Sequence, residues 1–490
     1  MIRKNFVPRK IVFDKIFWLA LLFGTGFRVL CSHFVFPGFD EAYYGVYSLH
    51  PALGYFDHPP MVALTAGIGH WLTGSFSALS LRLGAITIFI ATCSITYLSA
   101  YRLWGKEAAH WAVMLLQVIP LFSFGIGAFV IPDNALSLFW MTGIYCLIRF
   151  NESREGRWIL WWGVASGLAM LSKYHGILMW FTLVGCILVF SEWRKLLREP
   201  KFYLSILISL AIYSPNLYWN YTHHWISLLY QFGKGNPSGQ LSFPLFLQDL
   251  GGQMIYLLPW IMITLITTII FFLRKNKPKD RWLAWFAFVP IIIFSFAGFF
   301  QTVLPHWPLP GYLTGILLLS GLMAKWKIRK AIQLIIYTGG TTFLIGILLS
   351  FQSKTGYFKL SPKNDLTLDG QGWAELANHL QQKELVNDSS VFVTRRWFLS
   401  GELEWALQGK GLVTALDSKL ANSYNQWMPI NALLGKHAIA ITTSRYNSNP
   451  NTDFVDIFPH CILIDSLATK RSMGFGKTFY IWDCGIVKNR

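Results

Sequence analysis

The sequence predicts a polytopic α-helical membrane protein with about eleven transmembrane helices and a C-terminal α/β extracytoplasmic domain. Three observations carry this expectation. Of 490 residues, 53% are hydrophobic and only 13% charged, where a soluble domain averages about 25% charged; mean hydropathy is +0.41. Apolar runs recur at lengths near those that cross about 30 Å of hydrocarbon. Beyond residue 353 the apolar periodicity shortens to strand length.

The expected spans lie near 14–36, 80–101, 108–130, 132–150, 157–172, 174–192, 202–218, 250–273, 282–300, 308–324 and 331–351. The first lacks the small-residue cleavage site of a secretory signal and reads as a retained anchor. Residues 61–74 are apolar but too short to span. With 40–50 they read as interfacial helices in the first outer loop (about 37–74), and the Trp- and Tyr-rich connection 216–248 reads likewise. Residues 1–352 are thus a transmembrane domain and 353–490 a periplasmic domain. Strands are expected at 391–394, 412–416, 438–443, 461–465 and 479–483, with helices near 371–385 and 396–408.

A net charge of +18 suggests nucleic acid until its distribution is read. With the N-terminus inside, Lys and Arg at 3–15, 102–106, 149–157, 194–201, 274–281 and 325–330 number 23. The alternate connections before residue 353 hold only Lys173 and Lys234. That asymmetry is the positive-inside pattern. The charge therefore encodes orientation and implies no nucleic-acid partner: N-terminus cytoplasmic and C-terminal domain outside, periplasmic if the membrane is the inner (plasma) membrane of a bacterium. Cys31, Cys93, Cys146 and Cys186 lie in apolar runs and read as buried small hydrophobes. Cys461 and Cys484 are left open between a free pair and a disulfide, the latter suited to an oxidising compartment.

Chemistry concentrates in the first outer loop, in Phe39-Asp40-Glu41-Ala42-Tyr43-Tyr44 and Gly54-Tyr55-Phe56-Asp57-His58-Pro59-Pro60. Carboxylates beside a bilayer cost desolvation energy and usually have a role. A plain structural reading makes Asp40 and Asp57 helix caps, which leaves Glu41 unexplained. A functional reading joins Asp40 to an aromatic wall of Tyr43, Tyr44 and Tyr47 on one helix face, the surroundings a sugar and its hydroxyl require. Asp57 and His58 with His223, His224 or His306 form a possible divalent-metal set, although no ligand spacing supports one. Lys173, with Tyr174 and His175, is either a snorkelling lysine or a phosphate ligand. Arg28 and Arg82 read as buried structural cations or further phosphate contacts. Asp133 reads as a helix cap on the same outer face, and His306 lies in the turn before span ten. No P-loop or Gly-rich nucleotide fingerprint occurs.

With these residues in view, the chain resembles the GT-C class of membrane glycosyltransferases. It is similar to the bacterial branch of the protein O-mannosyltransferase group, family 39, to which the lipid A aminoarabinose transferases are related. The motifs above carry the resemblance, together with Ser80-Leu81-Arg82-Leu83, Leu171-Ser172-Lys173-Tyr174, Ser214-Pro215-Asn216, Trp219-Asn220 and His306-Trp307-Pro308. It implies a polyprenyl-phosphate sugar donor, an inverting transfer on the outer face, Asp40 at the catalytic acidic position and Lys173 near the donor phosphate. Two departures stand out. Gly45 replaces a common aromatic, and Leu366 to Trp373 is an expanded form of a shorter element.

The residues and the resemblance together give one expected mechanism. Asp40, with Glu41 and Asp57 as further catalytic candidates, accepts the proton of an acceptor hydroxyl. Lys173 stabilises the leaving phosphate, and Tyr174, His58, Tyr43, Tyr44, Arg82 and His306 bind substrate. The acceptor is lipid A or lipopolysaccharide, another cell-surface glycan, or a protein hydroxyl. The alternative is a transporter or flippase of lipid-linked sugars, which would favour ionisable residues at mid-membrane.

Overall fold

The computed structural model describes residues 13–234, 241–275, 278–416, 422–446, 448–458 and 460–487. Arg3, Lys4, Arg9, Lys10 and Lys277 of the charge count lie outside them. Helix α1 (Lys15–Phe34) starts at Asp14, whose carboxylate accepts the Phe17 N–H at 3.1 Å. Two short helices follow, α2 (Phe39–Tyr47) and α3 (Met61–Thr73), and then the long α4 (Ala78–Trp104). At 13 residues α3 is too short to span, since a crossing takes about 20. It packs along α4 so closely that a Cβ at Gly84 would lie 1.9 Å from the Thr65 carbonyl oxygen.

The chain then runs through α5 (Lys106–Val118), a π-helical turn (Leu121–Ile126), α6 (Asp133–Ser153), α7 (Arg157–Ser172), α8 (Leu178–Val189) and α9 (Pro200–Thr222). Next come α10 (Ile226–Lys234), α11 (Phe243–Leu257), α12 (Pro259–Arg274), α13 (Pro278–Ala297), α14 (Leu309–Met323) and α15 (Ile328–Thr355). Among the described residues, four helices are individually long and apolar enough to cross a membrane: α1, α4, Asp280–Ala297 of α13, and α15. Counting two sharply bent helix pairs as spans gives six.

This falls short of the eleven spans expected, because several expected segments are broken. The segment 250–273 straddles a 101° bend between α11 and α12. There Leu258 takes a positive φ of 72° and Pro259 opens the next helix. The segment 108–130 divides at Ile119 and Pro120 into α5 and the π turn. The segment 174–192 begins with a 3-10 turn and leads into a 113° bend after α8. Helix α9 buries Ser205, Ser209, Asn216 and Asn220, polar groups that lower its hydropathy while bonding inside the bundle.

The C-terminal residues build a five-stranded sheet, order β2-β1-β3-β5-β4. The strands are β1 (Ser390–Thr394), β2 (Leu412–Ala415), β3 (His437–Thr443), β4 (Ile462–Lys470) and β5 (Phe475–Ile486). Strands β2, β1 and β3 run parallel, and β5 lies antiparallel between β3 and β4. Helices α16 (Trp373–Gln382) and α17 (Trp397–Ala406) bury Leu376, Leu380, Leu399 and Leu403 against Phe392, Ile439, Phe479 and Ile481. β4 and β5 are longer than the apolar runs that signalled them, because their hairpin continues through residues exposed on one face.

Cys461 and Cys484 are disulfide-bonded, joining the start of β4 to the end of β5. The other four cysteines are free and buried. Closing a loop of this size restricts the unfolded chain by about 3 kcal/mol in the chain-entropy account. Cys461→Ser is therefore expected to lower the unfolding temperature of the purified protein, and reductant should reproduce the shift in the wild type only.

Asp365 fastens the domain to the membrane part. Its carboxylate accepts from Gln352 Nε2 of α15 at 2.9 Å and from Arg471 Nη2 at 2.8 Å.

Candidate active site

Helix α2 opens at Gly38, whose N–H bonds to Glu41 Oε2 at 3.1 Å. Adjacent helical residues point about 100° apart, and this divides the acidic pair. Glu41 turns inward and is 5% exposed; Asp40 faces solvent. Glu41 receives Arg82 Nε at 2.8 Å and Nη2 at 2.6 Å, and also the Val130 N–H at 3.2 Å. Arg82 donates in addition to the carbonyls of Val35 (2.8 Å) and Phe36 (3.1 Å). The pair staples the approach to α2 onto α4 and the segment before α6. Glu41 and Arg82, expected as catalytic and substrate-binding residues, are paired with each other, and neither lines the cleft described next.

The cleft, about 880 Å³ with its open mouth included, is lined by several parts of the chain. Helix α2 gives Asp40, Tyr43 and Tyr44, and the following loop gives Asp57 and His58. The turn after α7 gives Lys173 and His175, and the turn before α14 gives His306 and Trp307. Trp397 and Asn422 come from the C-terminal domain. Seven of the ten residues expected at the site thus meet in one place: Asp40, Tyr43, Tyr44, Asp57, His58, Lys173 and His306.

Tyr174 does not line it. Lys173 is extended and Tyr174 begins a 3-10 turn, so their side chains diverge. The Tyr174 hydroxyl lies 2.6 Å from Ser227 Oγ and accepts from Asn220 Nδ2 at 3.4 Å.

Lys173 is 5% exposed and donates to both carboxylate oxygens of the fully buried Asp133, at 3.0 and 2.7 Å. His306 Nε2 stands 3.8 Å from the same carboxylate. Asp133 is therefore not the cap the sequence suggested; it begins α6 without a side-chain capping bond. Its neighbours Pro132 and Asn134 signalled only a helix start, and nothing in sequence paired it with a residue 40 positions on.

Asp57 accepts from the Tyr47 hydroxyl, and its carbonyl accepts from Gln231. Tyr47 stacks on Tyr55 at 3.9 Å, and Tyr44 meets His58 edge-on at 5.5 Å. Burial first, then the nearby Asp40 and Asp57, hold the Tyr44 phenol well above its ordinary pKa. Burial and Asp57 do the same for Tyr47. Both phenols therefore stay protonated at neutral pH, and that of Tyr47 donates to Asp57.

Among the described residues, no group of three or more His, Cys, Asp or Glu side chains is placed to hold a metal ion. His223, one candidate, stacks on Trp219 with Nδ1 2.8 Å from the Trp219 carbonyl.

The C-terminal domain is pressed onto α2. A Cβ at Gly401 would lie 2.9 Å from Tyr43 Cα, and one at Gly45 would lie 2.7 Å from the Trp405 ring. Gly45, the departure from the aromatic position, thus makes room for Trp405. Ser423 N–H donates to the Tyr43 hydroxyl at 3.0 Å, and Ser423 Oγ donates to that of Tyr47 at 3.2 Å. His50 pairs with Glu404 at 2.7 Å and stacks on Trp427 at 4.5 Å. The expanded element Leu366 to Trp373 lies against the other side of the approach: a Cβ at Gly370 would meet the Pro37 carbonyl oxygen at 2.0 Å. Its Asp369 pairs with Arg445 at 2.7 Å.

This geometry has relatives. Residues 57–219 match the dolichyl-phosphate-mannose-protein mannosyltransferase family model. A lipid A galacturonosyltransferase from Rhizobium johnstonii is 22% identical over 345 residues, 67% of this chain and 69% of that protein. An undecaprenyl phosphate-aminoarabinose arabinosyl transferase from Yersinia pestis is 24% identical over 277 residues, 52% of this chain and 47% of that protein. The crystal structure of ArnT from Cupriavidus metallidurans bound to undecaprenyl phosphate superposes with a TM-score of 0.68 at 14% identity. That superposition covers 96% of this chain and 98% of ArnT. The chain is a glycosyltransferase, and its fold is that of ArnT.

Within this glycosyltransferase, the matched stretch 57–219 holds Asp57, His58, Arg82, Asp133 and Lys173. Asp40 and the residues from the C-terminal domain lie outside it. The matched region spans about half the length of the Yersinia protein, whereas the fold match to ArnT runs nearly end to end.

Proposed function

We propose that this glycosyltransferase moves a sugar from an undecaprenyl-phosphate-type donor to a hydroxyl of lipid A on the periplasmic face, with inversion. The observation that carries the reading is the convergence in one cleft of Asp40 and Asp57 with Lys173 and His306, brought by separate segments. Acids alone would suit proton transfer, and a cation alone would suit phosphate binding; their juxtaposition suits glycosyl transfer from a lipid phosphate. The relatives named for lipid A and for undecaprenyl phosphate support this donor and acceptor.

In this mechanism Asp40 Oδ accepts the proton of the attacking hydroxyl while the acceptor oxygen bonds to the anomeric carbon. The bond from that carbon to the phosphate oxygen breaks, and the lipid phosphate leaves as an anion. The ammonium of Lys173, shared between Asp133 and the phosphate, stabilises the departing charge. Asp57, oriented by Tyr47, and His58 hold sugar hydroxyls. The positive-inside count supports an inside N-terminus and an outside cleft, and the Cys461–Cys484 bond supports an oxidising outer compartment.

The test measures transfer from undecaprenyl-phosphate aminoarabinose and undecaprenyl-phosphate galacturonate to purified lipid A. Wild type should use one of them; transfer from neither overturns the reading. Lys173→Met should raise the donor KM and also destabilise the fold, because buried Asp133 loses its counter-charge, a loss of about 3–5 kcal/mol. Lys173→Met with Asp133→Asn should recover most of the stability but not transfer. Recovery of both would make Lys173 purely structural.

A further inference from the structure

We propose that the C-terminal domain supplies the acceptor subsite. Trp397 stacks on a sugar ring of the acceptor and the Asn422 amide bonds its hydroxyls, so the acceptor hydroxyl is carried on a glycan ring rather than on a polypeptide serine or threonine. The inference rests on the glycosyl-transfer reading above and names the partner of that same site.

Trp397 and Asn422 line the cleft that holds Asp40. Trp397, the first residue of α17, is half-buried, and its ring lies 4.5 Å from that of Tyr43. Tyr43 follows Asp40 by three residues on α2 and so shares its helix face. Trp397 therefore extends the aromatic wall on the side of the proposed base. The base is where an acceptor hydroxyl must arrive, whereas the donor phosphate belongs beside Lys173, a residue of the membrane helices.

Asn422 is held firmly in place. Its backbone N–H donates to Asn425 Oδ1 at 2.8 Å, and its Oδ1 accepts the Tyr424 N–H at 3.0 Å. The next residue, Ser423, bonds to the Tyr43 hydroxyl. One tyrosine thus braces both elements of the subsite. The electron-rich face of an indole attracts the polarised C–H groups on one face of a pyranose, and a fixed planar amide suits hydroxyls at the ring edge. A serine or threonine side chain offers no such face.

The experiment uses full-length protein in nanodiscs, the donor that wild type accepts, and purified lipid A at varied concentration. Trp397→Ala should raise the KM for lipid A about tenfold or more while the donor KM stays within twofold. Trp397→Phe should recover most of the loss, and Asn422→Ala should raise the acceptor KM by a smaller factor. A serine-containing peptide should not replace lipid A. The proposal is overturned if Trp397→Ala raises the donor KM instead, if neither substitution moves the acceptor KM, or if wild type glycosylates the peptide in preference. Where Trp397→Ala fails to fold, Trp397→Phe and Asn422→Ala decide by the same readout. A wild type inert with both donors removes the glycosyl-transfer reading and this inference with it; an active wild type with unmoved variants removes this inference alone.

Discussion

Asp40→Asn is expected to lower kcat by about 10²–10⁴, the usual contribution of a positioned general base. The donor KM should stay nearly constant. The substitution keeps shape and removes basicity, and Asp40 is exposed in the cleft rather than buried in the core, so unfolding should shift little. A Michaelis analysis of the purified variant against donor and acceptor checks this. Full activity would move the base to Asp57, the other carboxylate lining the same cleft.

Its neighbour should behave in the opposite way. Glu41→Ala is expected to destabilise the fold by about 3–5 kcal/mol, the range for stranding one partner of a buried ion pair. Arg82 is fully buried and would keep only carbonyl acceptors for a full charge. The expected result is low yield and a large fall in unfolding temperature, with kcat per folded molecule changed far less than by Asp40→Asn. Glu41→Ala paired with Arg82→Met should regain part of the stability, because removing both charges removes the stranded one. A Glu41→Ala enzyme that folds normally but has lost its kcat would return Glu41 to the chemistry. Two adjacent acids thus predict two separable phenotypes, one in rate and one in stability.

Much of this site was legible in the sequence. Asp40, Asp57, His58, Lys173 and His306 stood out because polar groups beside apolar runs are costly, and that cost is visible one residue at a time. What stayed hidden was pairing. The salt bridge of Glu41 runs to Arg82, 41 residues away, and no local pattern encodes that contact. Asp133 looked like a cap for the same reason. Tyr174 adjoins Lys173 in sequence, but Lys173 is extended and the 3-10 turn begins at Tyr174, so their side chains diverge. Trp397 and Asn422 carried no signal, lying in what read as an ordinary amphipathic helix and a loop of another domain.

The fold divides in a similar way. Periodicity marked the strands and helices after residue 353, because alternating burial leaves a period-two or period-3.6 trace along the chain. It did not reveal the break at Leu258, where apolar residues continue across a 101° bend. Hydropathy counts transfer energy and is blind to backbone direction.

By itself, then, the sequence marked the membrane class and most of the side chains that reach the cleft, and its 23 against 2 basic residues carry the proposed sidedness. Only the tertiary structure decided which acid faces solvent, which cation answers which carboxylate, and that the C-terminal domain helps to wall the site. The physical reason is range. Desolvation cost and helical or strand periodicity are local properties that a chain displays along its length. Ion pairing and close packing, such as Gly401 against Tyr43, join positions hundreds of residues apart and exist only once the chain has folded.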